Sequence, residues 1–168
     1  MIKELMVDEM DQLDKKILEN LQQNGRMTTA ELADRVGMSR TPVFERVKKL
    51  ERKGIIRQYA ALVDPQQIGI TCFTFVEVQL IRHGRETVNR FIEAITKVPE
   101  VMECHHITGE ADFLLKVATR DTPAYEHLLL NTLTALPEVR NLKTLVVLST
   151  LVQKTQFPVQ SDEKKSRK

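Results

Sequence analysis

Positively charged residues gather in one stretch of the chain, and this pattern indicates contact with phosphate groups. Between Arg35 and Arg57 there are eight Lys or Arg and two Asp or Glu, a net charge of +6 in a chain whose total is +2. Residues 1–34 carry a net charge of −4, and residues 64–160 carry −2. A basic helix alone would be an ordinary solvated surface, but a basic element on an otherwise acidic chain is typical of nucleic-acid binding.

A second set of reactive side chains stands in the other half of the chain, where Cys104, His105 and His106 are adjacent. Neighbouring residues of a β-strand point to opposite sides of the sheet, so Cys104 and His106 would share a side. Two ligands are too few for a closed zinc site, although a two-fold dimer would supply four. A metal-binding sensor or an enzyme that uses Cys104 and His106 at a dimer interface is therefore the alternative function.

Other features of the sequence argue against an enzyme and against a membrane protein. Attack by Cys104 would need a base and an oxyanion hole, and neither is recognisable. The chain has no glycine-rich phosphate loop, no membrane-length apolar run and no CxxC pair, and its first residues are acidic rather than signal-like. We expect a cytoplasmic protein that is not an enzyme and has no cofactor or metal. Aromatic residues make up only 5% of the chain, so the expected nucleic acid is double-stranded DNA.

The basic residues belong to two predicted helices that are joined by a tight turn. Thr28 and Glu31 have the spacing of a capping box, and Gly37 stands where the first helix would end. Ser39 is expected to cap the second helix. The apolar stripe of this helix has helical spacing: Val43, Val47, Leu50. The pattern predicts a helix-turn-helix whose second helix enters a major groove.

Two further segments complete the predicted winged helix-turn-helix domain at 11–63. A helix that starts after Asp11 and ends at Asn24-Gly25 is expected to pack under the other two. Residues 55–63 are rich in β-branched and aliphatic side chains and predict one or two short strands, which would form a wing. Aspartate, proline and glycine then mark a linker at 64–70.

The second half of the chain contains an internal repeat. The segments VPEV at 98–101 and LPEV at 136–139 lie 38 residues apart, and each joins a predicted helix to a strand. The order β-α-β-β-α-β predicts an α+β protein whose C-terminal domain is ferredoxin-like, with helices on one face of a four-stranded antiparallel sheet. The predicted elements are strands at 71–80, 113–119 and 139 to about 152, and helices at 86–97 and 123–136.

The second face of this sheet is also expected to be apolar. Val76, Val78, Leu145 and Val147 alternate with further apolar residues along the strands. An uncovered apolar face needs a partner, and a homodimer packed sheet to sheet would supply it. We expect this ferredoxin-like domain to span 71–154, with a charged and disordered tail at 155–168.

Four segments carry a resemblance to a known family: LDKKILENLQQNGR at 13–26, ELADRVGMSRTPVFERVKKLERKGII at 31–56, ECHHITGEADFLLKV at 103–117, and KTLVVL at 143–148. They are similar to the Lrp/AsnC (feast/famine) family of transcriptional regulators, and within it to the leucine-responsive regulators. The likeness extends from residue 13 to about residue 154. It is specific because the helix-turn-helix and the Gly-x-x-Asp loop occur in the right order and separation.

The resemblance implies roles for residues of the second basic helix. One set would face base edges: Ser39, Arg40, Thr41, Phe44, Glu45, Lys48. Another would hold phosphates: Arg46, Lys49, Arg52. Arg40 would pair with guanine, a contact that is worth about 1–3 kcal/mol of discrimination. Phe44 would either contact a thymine methyl group or pack against the first helix, and both interpretations stay open.

The resemblance also implies assembly and a ligand. Dimers would assemble into rings, often octamers, and an amino acid such as leucine would bind in the C-terminal domain and change assembly or DNA affinity. A bare oligomerisation module without an effector is the other interpretation of this half. The expected effector-binding residues are Gly109, Glu110, Ala111, Asp112, Phe113, Leu145, Val146 and Val147.

Three positions of this loop allow a physical reading. Gly109 permits a positive φ that would bring backbone N–H groups to a carboxylate. Asp112 would accept a hydrogen bond from an α-ammonium group or simply cap the turn. The family commonly has an aromatic residue before this aspartate, whereas this chain has Ala111, so pocket size and ligand identity are expected to differ.

Overall fold

The computed structural model describes residues 10–159, and its contacts divide the chain into two compact units. The first unit comprises the residues up to Ala61 together with those from Val152 onward, and the second comprises Leu62–Leu151. The chain therefore leaves the first unit once and returns to it.

Three helices form the first unit: α1 at Gln12–Gln23, α2 at Thr29–Val36 and α3 at Arg40–Arg52. The predicted caps of the first two helices are confirmed. The Asp11 carboxylate accepts a hydrogen bond from the Asp14 backbone N–H at 2.8 Å. Thr28 and Glu31 form the capping box, and Gly37 ends α2 with a φ of +71°. Ser39 stands at the N-cap of α3, but its side chain makes no capping hydrogen bond, so that part of the prediction is wrong.

The apolar stripes of the three helices meet in one core. Ile17, Leu32, Val43 and Leu50 are each no more than 2% exposed. Burial of one such side chain is worth about 1.5–3 kcal/mol, so a core of this size holds α3 in a fixed orientation on the other two helices.

The segment after α3 does not form the predicted strands of a wing. Ile55 and Ile56 donate backbone hydrogen bonds to the Leu50 carbonyl at 3.0 and 3.2 Å, which ends the helix, and the chain up to Val63 is irregular. The β-rich composition of residues 55–63 does not produce a strand because no strand among the described residues of this unit offers ladder partners.

The second unit has the predicted ferredoxin-like order. Its strands are β1 at Cys72–Leu80, β2 at Val101–His106, β3 at Phe113–Thr119 and β4 at Val139–Val146. They form one antiparallel sheet in the order β2-β3-β1-β4. The helices are α4 at Arg85–Ile95 and α5 at Thr122–Leu128, and a 3₁₀ turn at Gln66–Ile68 precedes β1.

Two elements of this unit are shorter than predicted. The expected single helix at 123–136 ends at Leu128 and continues as a π-helical turn at Leu129–Leu133, where the Thr134 N–H bonds to the Leu129 carbonyl at 3.0 Å. The last strand ends at Val146, which pairs with Thr74, rather than near residue 152. Since β1 begins at Cys72, it has two residues beyond Thr74, and the Val147 N–H bonds to the carbonyl of one of them, Phe73, at 2.9 Å.

The strand register decides which side chains face α4 and α5. Val76 and Val78 are fully buried in the core between sheet and helices, so their placement on the second face is wrong. The second face, which we call the open face, is mixed rather than uniformly apolar. Phe75 and Leu145 are paired at one end, whereas two ion pairs cross its middle: Glu77–Lys143 at 3.2 Å and Glu103–Lys116 at 2.8 Å.

The start of the predicted disordered tail makes defined contacts. The Gln22 side chain accepts a hydrogen bond from the Phe157 backbone N–H at 2.7 Å and donates one to the Phe157 carbonyl at 3.1 Å. Val159 packs against the core of the three helices. The prediction of disorder from residue 155 is therefore wrong for this segment, and residues 160–168 lie outside the described part of the chain.

Candidate nucleic-acid interface and effector site

The predicted base-reading and phosphate-binding residues lie on one helix and are, with one exception, exposed. The exposed members are Ser39, Arg40, Thr41, Phe44, Glu45, Lys48, Lys49 and Arg52. They are displayed because Val43 and Leu50, on the opposite side of α3, are buried in the three-helix core. The absence of a capping bond from Ser39 leaves its hydroxyl available to an external acceptor or donor.

The free positive charge on this surface comes from three side chains. Arg40, Lys49 and Arg52 form no ion pair with any residue between Met10 and Val159. Lys48 differs, because its ammonium group lies 2.8 Å from a Glu51 carboxylate oxygen and 5.8 Å from the centroid of the Phe44 ring. Unpaired cations on an exposed helix supply the electrostatic attraction that phosphate binding requires.

Arg46 is the exception to the prediction. Its guanidinium group bonds to Asp11 at 2.6 Å and to Asp14 at 2.7 Å, and the Asp14 side chain is only 6% exposed. These two carboxylates raise the pKa of Arg46 above its ordinary value, with the hydrogen bond to Asp14 as the main cause. A guanidinium that two internal carboxylates hold is not free for a phosphate, so we assign Arg46 to fastening α3 onto α1.

Phe44 retains a large exposed surface. Its residue is 46% exposed, and together with Leu21 and Val47 it lines a groove of about 190 Å³ on the three-helix unit. The ring therefore has apolar surface on the exposed side of α3, as contact with a thymine methyl group would require.

Asp112 occupies a structural position in the predicted effector loop. Its backbone N–H donates to the Val78 carbonyl at 2.9 Å, and one carboxylate oxygen accepts from the Leu80 N–H at 2.8 Å. The other oxygen lies 2.8 Å from Nδ1 of His83. The loop is thus tied to the end of β1, and the turn-forming interpretation of Asp112 is supported.

The remaining loop residues divide into exposed and buried ones. Gly109 has the expected positive φ, +124°, and both it and Glu110 are exposed. Ala111 is 8% exposed and Phe113 is 1% exposed, and the Phe113 ring packs 4.8 Å from that of Phe91. Because Phe113 belongs to the core, it contributes support to the loop rather than a surface for a ligand.

The other predicted effector residues are distant from this loop within one chain. Leu145 pairs with Phe75 and Val146 pairs with Thr74, whereas the loop is bonded to Val78 and Leu80. At about 3.3 Å per residue the two groups are roughly 17 Å apart along β1. Adjacent strand residues also point to opposite faces, so Leu145 and Val147 share the open face while Val146 does not. The structure does not join the eight residues into one site within a single chain.

The candidate metal ligands do not converge. Cys104 and His106 pair with Leu115 and Phe113 and share the helix side of the sheet, while His105 points the other way and bonds to Glu103 at 2.9 Å. No group of three or more metal-ligating side chains occurs among residues 10–159. Burial raises the pKa of the Cys104 thiol, which lowers the fraction of thiolate that could bind a metal or attack a substrate.

Several residues that organise these surfaces carried no recognisable sequence signal. Asp14 lies 32 positions before Arg46, and His83 lies 29 positions before Asp112. Glu51 and Tyr59, which contact each other beside Lys48, were likewise not singled out. Pairs at such separations follow from the folded arrangement, and only the spacing of Lys48 and Glu51 on one helix is visible in the sequence.

No helix within residues 10–159 has the length and apolar character that a membrane span requires.

Each of the two units matches a known protein family. Residues 10–57 match the family model described as winged helix-turn-helix DNA-binding, and residues 74–157 match the Lrp/AsnC ligand binding domain. The leucine-responsive regulatory proteins of Klebsiella pneumoniae and Escherichia coli strain K12 are each 39% identical to this chain over 153 residues, which is 91% of this chain and 93% of theirs.

Solved structures agree. A transcriptional regulator from Neisseria meningitidis, determined as a complex with L-Met, has a TM-score of 0.85 and 37% identity and covers 89% of this chain and 97% of its own. Escherichia coli AsnC has a TM-score of 0.82 and 31% identity and covers 89% and 99%. The fold and these family matches define a DNA-binding transcriptional regulator with a ligand-binding domain. The chain belongs to the Lrp/AsnC family, which confirms the predicted family and fold class and does not favour the metal or enzyme alternative.

Proposed function

We propose that the exposed face of α3 reads DNA sequence and that an amino acid bound to the second unit changes the DNA affinity. The observation that carries the first part is the set of eight exposed residues at the N-cap and on one face of a well-anchored helix; three of them are cations that form no ion pair within residues 10–159. Arg40, near the start of α3, is the side chain best placed to pair with a guanine. Lys49 and Arg52 hold phosphates and set the register.

The proposed effector is an apolar amino acid, for which leucine and methionine are the first candidates. A relative with 37% identity was crystallised with L-Met, and relatives with 39% identity are leucine-responsive. The exposed residues Gly109 and Glu110 would bring their backbone N–H groups to the α-carboxylate, and the Asp112 carboxylate, which already bonds to His83 and the Leu80 N–H, would also accept from the α-ammonium group. Since Leu145–Val147 lie far from the loop in one chain, a complete pocket requires residues from another chain.

The proposed assembly is a homodimer through the open face, with further association into a ring such as an octamer. Phe75 and Leu145 supply the apolar end of this face, and Leu145 is 41% exposed. A dimer would present two α3 helices and bind a two-fold-related operator whose half-sites lie one or more helical turns apart. The proposed location is the cytoplasm, and the proposed function involves no catalytic step.

Fluorescence anisotropy tests this function. The protein is titrated onto the DNA upstream of its own coding region, since family members often regulate themselves, with leucine, with methionine and without either. Binding much tighter than to scrambled DNA and shifted by an amino acid supports both parts, with a coupling of about 1–3 kcal/mol expected. Tight binding that no amino acid shifts contradicts the effector part alone. If neither this fragment nor duplexes from a genomic library bind better than scrambled DNA, the DNA part is wrong.

A further inference from the structure

Lys48, on the DNA-facing side of α3, is joined to two residues outside the predicted interface. Its ammonium group lies 2.8 Å from one carboxylate oxygen of Glu51, and the hydroxyl of Tyr59 donates to the other oxygen at 3.1 Å. Both oxygens of Glu51 are therefore occupied, one by a charge and one by a phenol. We call this arrangement the Lys48–Glu51–Tyr59 chain.

Tyr59 is well placed to hold the carboxylate still. Its ring stands beside Gly25, two residues after the end of α1, where a Cβ added to the glycine would lie 3.4 Å from the ring carbon Cδ1. Desolvation raises the pKa of Tyr59 to about 12, and the phenol remains a hydrogen-bond donor at neutral pH. An isolated exposed Lys–Glu pair on a helix is weak because both side chains lose freedom on pairing. Here the phenol fixes the carboxylate in advance.

The bond to Glu51 changes the net charge that Lys48 brings to DNA. Binding to DNA of random sequence depends almost entirely on cations that replace counterions at phosphates. A lysine bonded to a carboxylate brings no net charge to a phosphate, so its contact with a phosphate gains less from counterion release than the contact of a free lysine does. A base edge offers neutral acceptors, which an ammonium group with three donors can reach while it keeps one bond to Glu51.

We propose that Glu51, positioned by Tyr59, restrains Lys48 and thereby weakens binding to random-sequence DNA more than binding to the operator. In this arrangement Glu51 and Tyr59 are specificity-determining residues that touch no DNA themselves. The proposal rests on DNA binding through α3, which belongs to the proposed function. The measurements below separate the proposed function from the proposed restraint of Lys48. If the wild-type protein binds no DNA at all, the proposed function fails; if it binds DNA and the variants below behave like it, the restraint fails.

The test compares variants on two duplexes, one of scrambled sequence and one recovered by in vitro selection against the wild-type protein. Affinity is measured over a range of salt concentrations. Glu51→Gln is expected to bind scrambled DNA about fivefold more tightly, with a salt slope steeper by about 0.9, and to bind the selected duplex with less than a twofold change. The variant therefore discriminates less between the selected and the scrambled duplex. Unchanged discrimination and an unchanged slope would overturn the proposal.

A double-mutant cycle shows whether Glu51 acts through Lys48. In the Lys48→Ala background, Glu51→Gln is expected to have little effect on the scrambled duplex. An effect of the same size in both backgrounds means that Glu51 acts as a bulk negative charge, and the proposal fails. Glu19→Gln is the matched control, since Glu19 is an exposed carboxylate of the same unit that lies on α1. Its effect is expected to be smaller than that of Glu51→Gln.

Tyr59→Phe tests the positioning role without a change in charge. It removes only the hydroxyl that holds Glu51, and about a twofold gain in affinity for scrambled DNA is expected. Thermal unfolding of each variant is recorded in parallel. A change in melting temperature without a gain in affinity for scrambled DNA would assign Tyr59 to stability alone and contradict its part in the proposal.

Discussion

Replacement of Arg46 by alanine distinguishes a residue that fastens helices from one that binds phosphate. The guanidinium group bridges Asp11 and Asp14, and the Asp14 side chain is 6% exposed whereas that of Arg46 is 31% exposed. Removal of one partner from a buried ion pair costs about 3–5 kcal/mol, and an exposed pair contributes about 0–1 kcal/mol. Because Arg46 is partly in water, we expect Arg46→Ala to lower the free energy of unfolding by about 2–4 kcal/mol.

A loss of this size is large for a three-helix unit. In a small domain each kilocalorie per mole shifts the melting temperature by about 4–8 °C, so the melting temperature of the unit is expected to fall by about 8–32 °C. The salt dependence of DNA binding, measured at a temperature where the variant is folded, should stay unchanged. Arg52→Ala is the control, since its side chain forms no ion pair among the described residues, and it should flatten the salt slope by about 0.9 without loss of stability.

Circular dichroism during urea and thermal unfolding gives the stability, and anisotropy at several salt concentrations gives the slope. The Asp14→Ala/Arg46→Ala double variant should cost clearly less than the sum of the single variants, because the second substitution removes a group that has already lost its partner. A stable Arg46→Ala variant with a slope reduced by about 0.9 would refute this reasoning and restore Arg46 as a phosphate ligand.

Three further predictions concern other parts of the chain. Arg40→Ala should weaken operator binding by about 1–3 kcal/mol and relax the preference at one base pair, and unchanged affinity and specificity in anisotropy would mean that α3 is oriented differently. Asp112→Asn keeps an acceptor for the Leu80 N–H but removes the charge, so calorimetry should show loss of amino-acid binding while operator binding stays; loss of both would indicate a folding role. The pKa of Asp11 lies below its ordinary value of 3.8, mainly because its carboxylate accepts a hydrogen bond from the Asp14 N–H. The ionised Asp11 therefore stabilises the fold above about pH 4, and this stabilisation disappears as the pH falls through the pKa of Asp11 in the folded protein. Asp11→Asn should therefore flatten the acid limb of the stability curve, and an acid limb identical to that of the wild type would contradict this assignment.

Local features of the fold were predictable from the sequence because their causes are local. A cap such as Asp11, a capping box such as Thr28 with Glu31, and a left-handed end such as Gly37 each depend on residues within one helical turn. The repeat at 98–101 and 136–139 likewise fixed the order of strands and helices, since each copy is short and contiguous.

Features that depend on distant partners were not predictable. Arg46 was expected to be free for a phosphate because no residue near it in the sequence indicates that the carboxylates of α1 would bind it. The alternation along β1 correctly places Val76 and Val78 on the same face, but alternation alone does not say which face the helices cover. Residues 55–63 have a strand-like composition, yet a strand requires a neighbouring strand, and the described part of that unit contains none.

The candidate sites show the same division. Exposure of the α3 face followed from the helical spacing of Val43 and Leu50, which left the other side to solvent. The effector residues were grouped by resemblance, whereas the register separates Leu145–Val147 from the loop at Gly109. That separation depends on strand pairing across the sheet, and only the folded chain reveals it.

In vitro selection from a pool of randomised duplexes tests the central claim, sequence-specific DNA recognition through α3, most directly. We predict that the wild-type protein enriches a two-fold-related sequence with half-sites separated by whole helical turns, and that Arg40→Ala loses the preference for one guanine in each half-site. Failure of the folded wild-type protein to enrich any sequence, or an identical preference in the Arg40→Ala variant, would contradict the account.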